Sequence, residues 1–161
     1  MIVGIIGSGG REHAICYKIK KSNLTTKIFC IPGNAGTSNI AENVNIKVND
    51  FKSIKNFCLN NKIELLIVGP EQPLVDGIVD YFENTNIKIF GPNKLSSKLE
   101  GSKIFTKKIC NKYNIPTAKF KIFKSKNETK KFLNEAEYPI VVKADGLAAG
   151  KGVYTVSYTH L

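Results

Sequence analysis

The run Lys143-Ala-Asp-Gly-Leu-Ala-Ala-Gly-Lys-Gly152 joins small side chains to two lysines. It follows Ile140-Val141-Val142, an apolar stretch that reads as a buried strand, so Lys143 stands where that strand gives way to a loop. Backbone N–H groups approach a polyphosphate closely only where no side chain intervenes. Flanking lysines supply positive charge for phosphate oxygens. The chemistry is that of gripping a nucleotide.

Three further clusters invite the same question. Gly7-Ser-Gly-Gly-Arg-Glu12 follows an apolar run and half-matches a dinucleotide fingerprint, with Glu12 in the third glycine position. An anion held at the N-terminus of the following helix, assisted by Arg11, fits better than a pyrophosphate. A tight turn with no ligand is the plain alternative. Val68-Gly-Pro-Glu-Gln-Pro-Leu74 places Glu71 on a stiffened loop, free to accept hydrogen bonds from a sugar or an amine, or else to cap the next helix. Leu99-Glu-Gly-Ser-Lys103 opens a helix with a lysine, which alone reads as a solvated charge.

The elements that must carry these clusters alternate. Ile2 to Ile6, Lys27 to Ile31, Val44 to Ile46, Leu65 to Val68 and Ile87 to Phe90 read as strands. Helices are expected from Arg11 to Lys20, after an Asp50 cap, and from Leu74 to Phe82. The alternation is that of an α/β, doubly wound parallel sheet, whose ligands bind at the carboxyl ends of the strands. Beyond Gly91-Pro92 the pattern changes. A helix from Ser102 to Tyr113, strands at Lys119 to Phe123 and Ile140 to Lys143, and a helix from Asn127 to Ala136 between them read as a new unit.

Composition narrows the partners. With 42% hydrophobic and 23% charged residues the chain is globular. The net charge is +11, yet of 24 basic residues only Arg11 is an arginine, and the lysines are scattered. Abundant lysine, asparagine and isoleucine follow from AT-rich codons, so no nucleic-acid partner is expected. Cys16, Cys30, Cys58 and Cys110 are widely spaced and read as reduced thiols. The short apolar N-terminus reads as a strand rather than a signal peptide, and no membrane association is expected.

In order along the chain, Gly9-Gly-Arg-Glu-His-Ala14, Pro32-Gly-Asn-Ala-Gly-Thr37, Val68-Gly-Pro-Glu71, Phe90-Gly-Pro92, Glu100-Gly-Ser-Lys103 and Lys143 to Gly152 closely resemble the phosphoribosylamine–glycine ligase family of ATP-grasp enzymes, over residues 1 to about 155. The resemblance implies a Rossmann-like pre-ATP-grasp, substrate-binding domain at 1–101, then a linking helix and the truncated start of an ATP-grasp domain at 102–155. By the same resemblance Gly9, Gly10 and Arg11 hold the 5′-phosphate of phosphoribosylamine, and Glu71 contacts its ribose or amine. Lys103, Lys143, Gly146, Gly150, Lys151 and Gly152 bind ATP. His13 packs or caps. Mg²⁺ or Mn²⁺ serves the full-length enzyme through ligands in a later segment, as does the glycine site, so no catalytic residue is assigned within this chain. A cytoplasmic monomer with small-molecule substrates is implied, and this stretch by itself is expected to be inactive.

Residues 156–161, Val-Ser-Tyr-Thr-His-Leu, read back into codons as one frame of a transposon-end adapter used in sequencing libraries. They are expected to be adapter-encoded, with the natural protein continuing. Three other readings remain open. A nicotinamide-dependent dehydrogenase calls for an acidic residue where Cys30-Ile-Pro32 ends the second strand. A non-catalytic nucleotide- or phosphate-binding module predicts cooperative folding and measurable ATP affinity from this chain. ATP-grasp carboxylases of the biotin or purine type share the general plan.

Overall fold

β1 (Ile2–Gly7) is apolar throughout because both of its faces are covered, and five of its six residues are buried. It pairs in parallel with β2 (Lys27–Pro32) on one side and β4 (Leu65–Val68) on the other. β3 (Glu42–Asn43) and β5 (Lys88–Phe90) complete a parallel sheet of order β3-β2-β1-β4-β5. Strand order reverses between β1 and β4, so the loops leaving these two strands diverge and open a crevice at their carboxyl ends.

Alternation along β1 sends Val3 and Ile5 to one face and Ile6 to the other. The first face is covered by α1 (Gly10–Lys20), which brings Cys16, Ile15 and Ile19 onto Ile28 and Cys30. The second is covered by α2 (Phe51–Asn60) and by α3 (Glu71–Asp76) and α4 (Ile78–Tyr81), with Ile54, Cys58, Ile78 and Phe82 against Phe29 and Leu66. Leu66, Ile54 and Ile5 are fully buried, and each such side chain contributes about 1.5–3 kcal/mol. Asp50 caps α2 as expected, its Oδ1 accepting from the Ser53 N–H at 3.0 Å. The structure is a computed structural model describing residues 1–148 and 150–156, and it divides into one unit from Met1 to Ser97 and a second from Lys98 onward.

Four expectations need adjustment. The third strand is Glu42–Asn43 rather than Val44 to Ile46, because pairing with β2 begins at Phe29 opposite Glu42. The helix expected from Leu74 to Phe82 starts at Glu71 and breaks at Gly77, whose φ of +98° ends α3. α5 (Lys94–Gly101) was not foreseen. Its two serines obscure the pattern, and it is started by the Lys94 N–H donating to Asp80 Oδ2 at 2.7 Å and the Ser96 N–H to Asn93 Oδ1 at 2.9 Å. Lys119 to Phe123 is no strand: among the described residues it has no ladder partner, and β-propensity without a partner leaves it irregular.

The second unit contains α6 (Lys103–Lys112), capped by Ser102, α7 (Lys126–Glu135), capped by Ser125, and an antiparallel hairpin of β6 (Ile140–Lys143) and β7 (Val153–Val156). Neither helix contains a buried residue. Val156, the first residue of the expected adapter tail, pairs with Ile140, while residues 157–161 lie outside the described residues. Among the described residues no helix is long and apolar enough to cross a membrane.

Candidate functional site

The turn between β1 and α1 is built around Glu12. This residue sits three positions into the helix after the Gly9 cap, and its Oε2 accepts from the Gly9 N–H at 2.7 Å. It is 4% exposed. A Cβ on Gly7, which has φ +124°, would lie 2.5 Å from Glu12 Cγ, and one on Gly69 would lie 2.2 Å from Glu12 Oε1. These glycines leave room for a carboxylate between the β1 and β4 loops. At the opening of α1 the Gly10, Arg11 and Glu12 N–H groups have no partner within the helix, and the space beside Gly10 is open. The Gly9 N–H is committed to Glu12.

Arg11 and Glu71, 60 residues apart, meet across the switch point with Nη1 donating to Glu71 Oε1 at 2.9 Å. The hydrogen bond from Arg11 holds the Glu71 carboxyl below its ordinary range, and Glu71 in turn raises the Arg11 pKa. Glu71 does not cap α3, since Pro70 occupies that position. The loop after β2 braces the turn from its other side: Asn34 Nδ2 donates to the Ser8 carbonyl at 2.9 Å and to the Gly9 carbonyl at 3.3 Å. Buried Thr37 holds Asn34, accepting its N–H at 2.8 Å and donating to its carbonyl at 2.9 Å. His13 packs on Gly36, where an added Cβ would lie 2.5 Å from the imidazole.

In the second unit the glycine-rich run is the loop of the β6–β7 hairpin. The Ala144 N–H donates to the Gly152 carbonyl and the Lys151 N–H to the Ala148 carbonyl, each at 2.8 Å. Gly146 and Gly150 adopt φ of +89° and +76°. Asp145 ties the loop to the start of α6, accepting from Ser102 Oγ at 3.1 Å and from the Ile104 N–H at 3.1 Å. Desolvation pushes its pKa up, but these hydrogen bonds outweigh that and leave the carboxyl below its ordinary range. Lys103 Nζ donates to the Gly146 carbonyl at 2.7 Å. Exposed Lys143 and Lys151 stand near the two ends of the loop.

The candidate residues thus gather in two places: Gly9, Gly10, Arg11 and Glu71 in the crevice of the first unit, and Lys103, Lys143, Gly146, Gly150, Lys151 and Gly152 around the hairpin loop of the second. Sequence reasoning passed over the structural parts of Glu12, Asn34 and Asp145. The Gly9-x-x-Glu12 spacing of a capping box was the available signal for the first. Asn34 and Asp145 carried none beyond their motifs. Among the described residues no group of three or more His, Cys, Asp or Glu side chains gathers to hold a metal ion.

A doubly wound sheet with free helix-terminal N–H groups at its switch point, followed in the chain by a glycine-rich hairpin tied to a lysine-bearing helix, places the chain among α/β proteins of the ATP-grasp class. Residues 1–100 match the family described as phosphoribosylglycinamide synthetase, N domain, and residues 101–160 match its ATP-grasp (A) domain. The chain belongs to the phosphoribosylglycinamide synthetase family. It is 56% identical over 156 residues to a phosphoribosylamine–glycine ligase of Caldanaerobacter subterraneus, covering 97% of this chain and 37% of that protein. The crystal structure of phosphoribosylamine–glycine ligase from Thermotoga maritima is similar at a TM-score of 0.75 and 32% identity, covering 99% of this chain and 37% of that one. The biotin carboxylase domain of Hydrogenobacter thermophilus 2-oxoglutarate carboxylase shares the fold at a TM-score of 0.74 and 20% identity, over 98% of this chain and 38% of that one. The chain therefore spans 37% of the length of the ligase relatives it matches.

Proposed function

We propose that this chain forms the phosphoribosylamine-binding part, and the opening of the ATP-binding part, of a ligase of purine biosynthesis. That ligase joins glycine to 5-phosphoribosylamine, cleaves ATP to ADP and phosphate, and yields glycinamide ribonucleotide. The observation that carries this reading is the meeting of Arg11 and Glu71 beside the free N–H groups of α1. A guanidinium and helix-terminal N–H groups suit a phosphate, while a carboxylate next to them suits the hydroxyl or amine donors of a sugar carrying that phosphate. Gly9 shapes the turn, and Gly10 and Arg11 bind the 5′-phosphate.

Residues 1–101 act as the substrate-binding domain and 102–155 as the start of the ATP-grasp domain. Lys103, Lys143 and Lys151 place charge near the ATP phosphates, and Gly146, Gly150 and Gly152 let loop backbone approach them. In the complete enzyme the glycine carboxylate attacks the γ-phosphate and releases ADP. The phosphoribosylamine nitrogen then attacks the acyl carbon of glycyl phosphate, and phosphate leaves. The present residues hold and orient the acceptor and the nucleotide. The described residues do not fit a Mg²⁺ or Mn²⁺ site, so no step is assigned to a metal here. The enzyme works in the cytoplasm as a monomer on these small molecules.

The test is an assay of the protein continued to the length of its relatives. ADP release that requires both glycine and phosphoribosylamine is expected. ADP release driven by bicarbonate instead would assign the chain to a carboxylase.

A further inference from the structure

Glu12 is a buried acidic side chain in the first turn of α1. Its carboxylate is buried between the loops that leave β1 and β4. One oxygen, Oε2, is satisfied by the Gly9 N–H. The other, Oε1, accepts no hydrogen bond from any described residue and lies 3.5 Å from Arg11 Nε, a charge contact without hydrogen-bond geometry. A buried carboxylate oxygen without a donor is costly, and the natural donor is the adjacent Nε–H. Arg11 meanwhile gives Nη1 to Glu71. A guanidinium has five donors in a fixed fork, so one edge can be held while another turns to a different acceptor.

We propose that Glu12 is the positioning residue of the crevice: it holds Arg11 by Nε while the guanidinium transfers its Nη donors from Glu71 to an arriving sugar phosphate. Binding closes the contact between Arg11 and Glu12 Oε1 and frees the Glu71 carboxylate for the sugar. A phosphate and Glu71 are both anions competing for the same Nη edge, whereas Glu12 lies on the opposite edge and is fixed by Gly9. This inference rests on the sugar-phosphate reading of the crevice.

Arg11 is the one arginine of the chain, so its Nε–Hε group gives a single NMR signal. We would titrate the ¹⁵N-labelled chain with ribose 5-phosphate. The Arg11 Hε signal is expected to move downfield and exchange more slowly with water, saturating together with the Gly10 amide. A Gly10 amide that responds while Arg11 Hε stays put overturns the proposal. No response at either group overturns the sugar-phosphate reading itself, and the inference with it. Glu12→Gln retains an oxygen acceptor for the Gly9 N–H and should keep the parent melting temperature, yet weaken ribose 5-phosphate binding about ten-fold. Removal of a negative charge alone would strengthen phosphate binding, so a folded E12Q protein that binds as tightly as the parent, or tighter, overturns the proposal. If E12Q does not fold, the Hε titration of the parent decides.

Discussion

Arg11 lies between two carboxylates, and Glu71 records its presence. Because the Arg11 hydrogen bond lowers the folded-state pKa of Glu71, the pair favours the native state above the ordinary glutamate pKa of about 4.3. That contribution fades as the pH falls through the lower native value. With both side chains largely open to water the effect on stability is small, so the carboxyl itself is the better reporter. A ¹³C-carboxyl titration should place Glu71 below the ordinary range in the parent and raise it toward that range in Arg11→Ala. An unchanged midpoint would mean the pair does not form in solution. Gly9, Gly10, Arg11 and Glu71 could each be named from their motifs. Their meeting could not, since 60 residues separate Arg11 from Glu71 and only the strand order brings them together. The burial of Glu12 was hidden for the same reason: the glycines that accommodate it, Gly7 and Gly69, lie on two different strands' loops.

Among the elements, legibility followed burial. β1, β2 and β4 are covered on both faces and read directly as apolar runs, and the Asp50 cap marked the start of α2. β3 and α5 are held by backbone pairing and side-chain caps rather than by an apolar stripe, so periodicity misplaced one and missed the other. Lys119 to Phe123 had the composition of a strand without a neighbour to pair with. The loop after β6 is proposed as a phosphate loop on its residues alone, and its attachment to α6 depends on Asp145, the single carboxylate in that run. Ser102 serves both parts, accepting from the Phe105 N–H at 3.1 Å and donating to Asp145. Ser102→Ala should therefore cost the second unit about 1 kcal/mol and raise the Asp145 pKa toward the ordinary aspartate range. Denaturant unfolding and a carboxyl titration read the two effects. A titration midpoint that does not move would show that Ser102 contributes only the cap.

At the scale of the whole molecule the charge of +11 comes from lysines scattered along the sequence, while the proposed recognition chemistry is confined to a few groups. Buried apolar side chains concentrate in the first unit; among the described residues of the second, Val156 alone belongs to the buried apolar set. The first unit therefore holds its crevice on a packed sheet, and binding there can be measured with this chain. Its ligand is proposed to be a sugar monophosphate rather than a dinucleotide, because the Gly9 N–H is spent on Glu12 and the third glycine of a dinucleotide turn is absent. Calorimetric titration with ribose 5-phosphate, ribose and NAD⁺ tests this directly. Binding of ribose 5-phosphate, none of ribose or NAD⁺, and a loss of about ten-fold or more in Arg11→Ala are expected. Binding of NAD⁺, or ribose 5-phosphate affinity untouched by Arg11→Ala, would contradict the sugar-monophosphate reading.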